Sequence, residues 1–383
     1  MAEPHVTSVR SDADLSAFIA LPWEVYRGDR NWVPPLVSER RSFLDRSQNP
    51  FFEHARAEYF LAQRDGKVVG TIGAFTNDLY NEVHQENSGW FGFFEVLDDP
   101  QAARALLAAA ESWARQAGHT RLLGPAQFSS NDEWGLLIQG FDDPPRLLMT
   151  YNPPRYQGYL EAVGFVKAMD MWAYRGRLDV FQSAADLPEK LLRVQDKLLR
   201  RGKFRLRRAD MKNFRSEVEH VKRIYNTAWE NNWGYVPMTE AEIDRLAEQL
   251  KPFVDPDLAL FVEHEGRIVG FGLGLPDMNQ PLRLAYPRPG EPEVFTLAKL
   301  FWHWKVRRSV EWVRMFAAGA LPEYQGRGVA AIIFAEMARN ALAKGFRMAE
   351  MSWILESNPK SFLNVEHAGG EIYKTYRIYE KKF

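Results

Sequence analysis

The chain has 383 residues, 46% of them hydrophobic, and its 49 basic and 50 acidic residues leave a formal charge of −1. That length supports two cores, and the near-zero charge gives no electrostatic footprint for nucleic acid. Cysteine is absent, which excludes disulfides, thiolate zinc sites and a thiol nucleophile, and the eight histidines are scattered without ligand spacing, so no metal site is expected.

The N-terminus, Met1-Ala-Glu-Pro-His5, lacks the basic and apolar regions of a secretory signal, and no apolar run approaches membrane-spanning length. A cytoplasmic protein without a transmembrane segment is expected, with peripheral membrane contact left open.

In chain order, Val9-Arg10-Ser11-Asp12 precedes a helical pattern. Tyr59 to Arg64 then leads through Asp65-Gly66-Lys67-Val68-Val69-Gly70, a hairpin turn between strands. At Leu97-Asp98-Asp99-Pro100-Gln101-Ala102-Ala103, Asp99 suits an N-cap and Pro100 the first helical position. This helix start has no glycine, and its two carboxylates would repel an anion. Phe128-Ser-Ser-Asn-Asp-Glu-Trp-Gly135 is a polar loop, read either as a turn satisfying itself or as a grip on an amine through Asp132 or Glu133. Asn152-Pro153 and Gly164-Phe165 follow.

From Asp186 an apolar stripe of Leu187, Leu191, Val194 and Leu198 predicts about four turns of connecting helix, stopped by Gly202. Its end is basic, from Lys197 through Arg208, and reads as a solvated face or as a contact for anionic lipid or a phosphopantetheine carrier protein. The plan then repeats. Arg207-Arg208-Ala209-Asp210, the turn Glu265-Gly266-Arg267-Ile268-Val269-Gly270, and Asn358-Pro359 with Gly370-Glu371 echo the earlier features in the same order. The chain is therefore expected to be of the α/β class (an α+β mixed sheet) in tandem: a first domain at 1–180, a linker helix at 181–202 and a second domain at 203–383.

Phe301-Trp302-His303-Trp304 is read as core and cleft packing or as the lining of an apolar pocket, and Gly270-Phe-Gly-Leu-Gly274 as strand, not a dinucleotide loop. Trp312 to Leu321 predicts a buried strand. Then come Gln325-Gly326-Arg327-Gly328-Val329-Ala330 and a helix with Val329, Ile333, Met337 and Ala341 on one face, ended by Gly345. Glycines at a helix start admit a phosphate to backbone N–H groups at the positive end of the dipole, so this turn is read as a pyrophosphate seat. Met348 to Leu355 predicts the next strand, and Glu371 to Tyr379 the last.

Gln325, Gly328 and Ala330 fit the Gln/Arg-x-x-Gly-x-Gly/Ala signature, and the chain resembles the GNAT acyl-CoA N-acyltransferase superfamily. Over nearly its whole length it is similar to a bacterial tandem GNAT-like family, through Asp29 to Pro35, Gly92 to Glu95, Asn131 to Gly135, Ser352 to Asn358 and Lys374 to Tyr379. The resemblance implies acyl-CoA as substrate, held by Gln325, Gly326, Arg327, Gly328, Val329 and Ala330 of the second domain, the first being degenerate. It also implies that an amine attacks the thioester directly in a ternary complex, with backbone N–H groups of Ala320 and Leu321 polarising the carbonyl. Asn358 would start the helix beside the pantetheine arm. Members often carry a Tyr seven residues after that Asn; here the position is Val365, so the acid is assigned to Tyr376 ahead of Tyr373. Met315 to Leu321 holds no Glu, and among Glu311, Glu323 and Glu356 the base is assigned to Glu356. The acceptor is a small-molecule or lipid amine, since some relatives act on long-chain amino lipids. The alternative is a catalytically inactive CoA-binding scaffold. A monomer or homodimer is expected.

Overall fold

The computed structural model describes residues 2–200, 202–230, 232–358, 365–366 and 369–383. In chain order the elements are β1 (His5–Ser8), α1 (Asp12–Ala20), α2 (Pro22–Val25), α3 (Val37–Leu44), β2 (Ala55–Arg64), β3 (Lys67–Asn77), α4 (Asp78–His84), β4 (Ser88–Val96), α5 (Pro100–Gln116), β5 (Arg121–Gly124), β6 (Leu136–Gln139), α6 (Arg155–Ala162) and β7 (Val166–Arg177). They continue as α7 (Glu189–Arg200), β8 (Phe204–Arg208), α8 (Phe214–Ala228), α9 (Glu240–Leu250), β9 (Ala259–His264), β10 (Arg267–Pro276), α10 (Asn279–Ala285), α11 (Glu293–Phe301), β11 (Trp312–Ala320), α12 (Val329–Ala343), β12 (Met348–Leu355) and β13 (Glu371–Lys382).

Two compact units result. The first gathers Met1–Met171 with two later stretches, Asn279–Arg308 and Lys374–Phe383; the second holds Trp172–Met278 and Ser309–Tyr373. This grouping is not contiguous in sequence, unlike the division into 1–180 and 203–383 that the repeats suggest. Helices α10 and α11 and most of β13 join the first unit.

In the first unit the strand order is β1-β2-β3-β4-β5-β13, with β6 also on β13. The β2–β3 hairpin turns through Asp65 and Gly66, both left-handed with φ of 49° and 75°. Helix α5 covers the sheet because Ala102, Ala103, Leu106, Leu107, Ala110 and Ala114 fall on one buried stripe.

In the second unit the order is β12-β11-β10-β9-β8. The matching hairpin turns at Glu265 and Gly266, with φ of 51° and 76°. Strand β10 alternates glycine with bulk. A Cβ at Gly270 or Gly272 would lie 2.4 Å from Val329 or 2.2 Å from Ile333, so the bare face lets α12 press onto the sheet. Phe271 faces the other way, its ring centroid 6.2 Å from that of Trp229, the residue that follows α8. The sequence reading of this stretch as strand holds.

Candidate active site

The site of the second unit begins with a change of strand pairing. Strands β11 and β12 pair in parallel only from Trp312 and Met348 to Met315 and Met351. Beyond that rung β11 runs on to Ala320 and β12 to Leu355 without pairing each other, so a wedge opens between them. The wedge starts at a bulge: Leu273 pairs with Ala317 and Gly274 with Met315, leaving Phe316 extra on β11. Below the apex, Arg314 and Glu350 sit on one rung as a buried ion pair, Nε to Oε2 at 3.2 Å.

Ladder phase decides which amides face the wedge. Leu321 N–H donates to Val269 C=O at 2.9 Å, so it is engaged on the β10 side and does not serve as a donor to a thioester. Gly270 partners Ala320, and antiparallel alternation turns the N–H groups of Ala320 and Ala318 away from β10, toward the wedge. Of the two amides named from the sequence, that of Ala320 is turned off the ladder and that of Leu321 is bonded within it.

The turn after β11 lies in the open. Gln325, Gly326 and Arg327 are exposed, and Gly326 and Gly328 have φ of 73° and 89°. Among the described residues nothing accepts a hydrogen bond from the Gly326 or Gly328 N–H. The first intrahelical bond of α12 is from Ile332 N–H to Gly328 C=O, 3.1 Å, which leaves Val329 and Ala330 without an intrahelical acceptor. Gln325 and Arg327 turn their own N–H groups back to Pro322 and Tyr324 and contribute through side chains instead. The Gln325 amide reaches the carbonyls of Ala228 and Ala320 at 3.4 Å, and the Arg327 guanidinium lies 5.7 Å from the Tyr324 ring centroid. Val329 is buried, and it fixes the turn to the sheet at Gly270. Leu198 of α7 fills the space where a Cβ of Gly328 would lie, 2.4 Å away.

The first unit has the same frame, closed at three points. Asp99 accepts from Gln101 N–H and Ala102 N–H at 3.1 and 3.0 Å and is paired with Arg64, so the helix start holds its own anion. After β5 the chain stays against β4, with Ala126 N–H on Phe91 C=O at 2.9 Å. A Cβ at Gly92 would lie only 1.7 Å from the Ala126 oxygen. Val96, the counterpart of Ala320 in ladder position, donates its N–H to the Tyr156 hydroxyl at 2.6 Å.

Glu95, which the sequence reading did not single out as a site residue, lies beside that closed point. It has one side on a small cavity shared with Gln127, Glu133, Thr150 and Asn152, and accepts from Tyr26 and Tyr156 hydroxyls at 3.0 and 2.9 Å. Burial pushes its carboxyl up to about 8, against the opposing effect of those hydroxyl donors. Its position on β4 two residues before the helix loop was a legible signal. Within the polar loop Asp132 accepts from Ser129, while Glu133 pairs with Arg40 of α3 and faces the small cavity.

Of the remaining sequence-assigned residues, Glu356 follows β12 directly and is half-buried at the open end of the wedge, with Asn358 two residues on. The helix expected from Asn358 to near Gly369-Gly370 falls mostly on 359–364 and 367–368, outside the described residues; Val365 and Glu366 within it are helical. Tyr376 is fully buried, pairs with Leu137, and belongs to the first unit. A phenol sealed in that core is not a proton donor for a thiolate, and the assignment is withdrawn. Tyr373 is half-buried in the second unit with its ring 6.0 Å from Trp312. The basic stretch after α7 is largely neutralised: Arg207 binds Glu217 and Glu263, and Arg208 binds Asp257.

A mixed sheet whose central parallel pair splays beside a glycine turn at a helix start defines an acyltransferase fold. Comparison with known proteins agrees. The family model described as Acetyltransferase (GNAT) family matches residues 21–133, within the first unit. The chain is 37% identical to the bacterial ceramide synthase of Caulobacter vibrioides over 99% of this chain and 98% of that protein. It is 35% identical to protein YghO of Escherichia coli over 96% and 93% of the two chains. A tandem GNAT protein from the clavulanic acid biosynthesis pathway shares the fold at a TM-score of 0.56 and 14% identity, covering 99% of this chain and 98% of that one. A GCN5-related N-acetyltransferase from Sphaerobacter thermophilus does so at 0.50 and 15%, covering 99% and 95%. The chain belongs to the GNAT acetyltransferase family, in its two-domain form, and is an N-acyltransferase. Among the described residues no group of His, Asp and Glu is placed to hold a metal ion, and no helix is long and apolar enough to cross a membrane.

Proposed function

We propose that the second unit binds acyl-CoA and transfers its acyl group to a long-chain amine by direct attack. The observation that carries this is the contrast between units: Val329 and Ala330 at the start of α12 have no intrahelical acceptor and the Ala320 N–H is turned off the ladder, while Gln101 and Ala102 at the start of α5 bond Asp99 and Val96 bonds Tyr156. The diphosphate would lie on the turn from Gln325 to Ala330, where helix-start N–H groups and dipole favour an anion. The pantetheine arm would run between β11 and β12 past Asn358, with the thioester oxygen toward the Ala320 N–H. Glu356, directly after β12 and half-buried, takes the role of base; Tyr373 replaces Tyr376 as the acid.

The acyl chain has a place to go. A cavity of about 100 Å³ lies between α8, α9 and the sheet, bounded by Phe214, Leu246, Ala247, Phe271, Phe316 and Ala317 among others. Phe316 and Ala317 are the bulge residues where the wedge opens. The lining is apolar apart from Glu217, whose carboxylate is held by Arg207 and the Asp210 N–H. An apolar lining of this kind favours hydrocarbon over water. The likeness to a protein named bacterial ceramide synthase supports a lipid amine as acceptor.

Thiol release from acetyl-, medium- and long-chain acyl-CoA across a panel of small and long-chain amines tests the reading. Turnover dependent on a long-chain amine and increasing with acyl length is expected. Binding of CoA without turnover on any amine would return the chain to the scaffold alternative.

A further inference from the structure

Seven of the eleven large hydrophobic residues exposed among the described residues lie between Leu284 and Val306. Phe295, Phe301 and Trp302 are 61%, 59% and 54% exposed, values unusual for aromatic side chains of this size. Their spacing puts them on one side of α11 and the π-helical turn Trp302–Val306 that continues it. Val294 and Phe301 are seven residues apart, Phe295 and Trp302 likewise, and Val306 follows Trp302 by four. Thr296 is the buried residue of α11 and Leu300 is half-buried beside it, so most of the helix's apolar side chains face out. This inverts the sequence expectation that Phe301 and Trp302 pack inside.

Charge distinguishes what covers this face. Residues 279–308 carry six basic and two acidic side chains, a net +4 in a chain whose total is −1. Both acids are committed: Glu291 pairs with Arg288, and Glu293 accepts from the Ser38 N–H and hydroxyl at 2.7 and 2.6 Å. Lys299, Lys305, Arg307 and Arg308 are exposed, and among the described residues none has a carboxylate within ion-pair distance. A second copy docked on this face by two-fold symmetry would set those cations against their own counterparts. A bilayer interface instead offers hydrocarbon to the aromatic and aliphatic side chains and anionic headgroups to the cations beside them. With nine residues in α11 and five in the following turn, the segment is far too short to span and is suited to lie in the interface.

We infer that α11 and the turn after it form a membrane-docking surface that binds bilayers rich in anionic phospholipid. The inference does not depend on the acyl-transfer reading. The test is co-sedimentation of the full chain with vesicles of equal phosphatidylglycerol and phosphatidylcholine, and with phosphatidylcholine alone. The wild type should sediment with the anionic vesicles and much less with the neutral ones, more weakly as salt rises. Phe295→Glu with Trp302→Glu should weaken binding about tenfold or more. Lys299→Glu with Lys305→Glu and Arg307→Glu should weaken it about a hundredfold or more, at roughly fivefold per basic residue lost. Because these side chains are exposed, thermal melting by circular dichroism should be unchanged in both variants. A wild type that stays in the supernatant with anionic vesicles, or a Phe295→Glu/Trp302→Glu variant that sediments like it, would overturn the inference. So would light scattering that shows a wild-type dimer dissolved by those two substitutions with no vesicle binding, which assigns the face to a second copy.

Discussion

Replacing Ala330 by Glu separates binding from folding at the turn. Ala330 is exposed at the second position of α12, so a longer side chain meets solvent. A carboxylate there complements the helix dipole and should leave stability unchanged or raise it by about 0.3–1 kcal/mol. For a diphosphate the effect is opposite. A unit charge roughly 6 Å from a group of charge about −2, at an effective dielectric of roughly 40–80 for an exposed site, costs about 1.4–2.8 kcal/mol. That is about a 10- to 100-fold rise in the Kd for CoA. Isothermal titration with CoA gives the affinity and calorimetric melting the stability. Ala330→Gln supplies the steric control and should bind nearly as the wild type does. The deficit of the Glu variant should shrink in high salt, because the site is open to ions. A Glu variant that is folded and binds CoA like the wild type would remove the diphosphate from this turn.

Three other outcomes are expected. Glu95 holds a proton up to about pH 8 in the fold, against 4.5 for an ordinary glutamate. The stability it contributes is full below 4.5 and lost as pH rises through about 8, at up to about 1.4 kcal/mol per pH unit; urea melts of Glu95→Gln should lack that slope, and an unchanged slope refutes the assignment. Ala247→Phe fills the cavity beside the β11 bulge, so turnover of long-chain acyl-CoA should fall at least tenfold while acetyl-CoA is spared, each methylene excluded being worth about 0.8 kcal/mol; equal loss for both donors counts against an acyl seat. Asp99→Ala removes an N-cap and strands Arg64, whose side chain is 8% exposed, so the unfolding free energy should drop by about 2–4 kcal/mol in denaturant titration.

What the sequence revealed was mostly local. The hairpins at Asp65-Gly66 and Glu265-Gly266 and the open turn at Gln325 to Ala330 were legible because turn and helix-start chemistry is written in adjacent residues. Asp99 as cap followed for the same reason. Leu321 was misassigned because strand phase depends on the partner strand, here Val269, fifty-two residues earlier in the chain. Tyr376 was misassigned because β13 was read as ordinary second-domain strand, whereas its segment from Lys374 onward joins the first unit. Phe301 and Trp302 misled because an apolar stripe has the same periodicity whether its face is turned in or out.

The two units show how little separates a frame from a binding site. Gly70 opposes Val96 and Gly270 opposes Ala320, so the phase of the ladder is the same in both. Leu97 N–H reaches Val69 C=O as Leu321 reaches Val269, each at 2.9 Å. The backbone thus presents an inward amide at each fourth strand, regardless of side chain. In the first unit the Tyr156 hydroxyl takes that amide, Asp99 takes the helix start, and Ala126 is bonded across to β4. Each closure satisfies a donor that would otherwise be buried or orphaned, at about 1–3 kcal/mol apiece. In the second unit the turn at Gly326 and Gly328 is open to solvent, and β11 and β12 stay unpaired beyond Met315 and Met351. The family model matches the first unit, whose frame the second repeats, so that match follows the shared frame and does not depend on which unit has open amides.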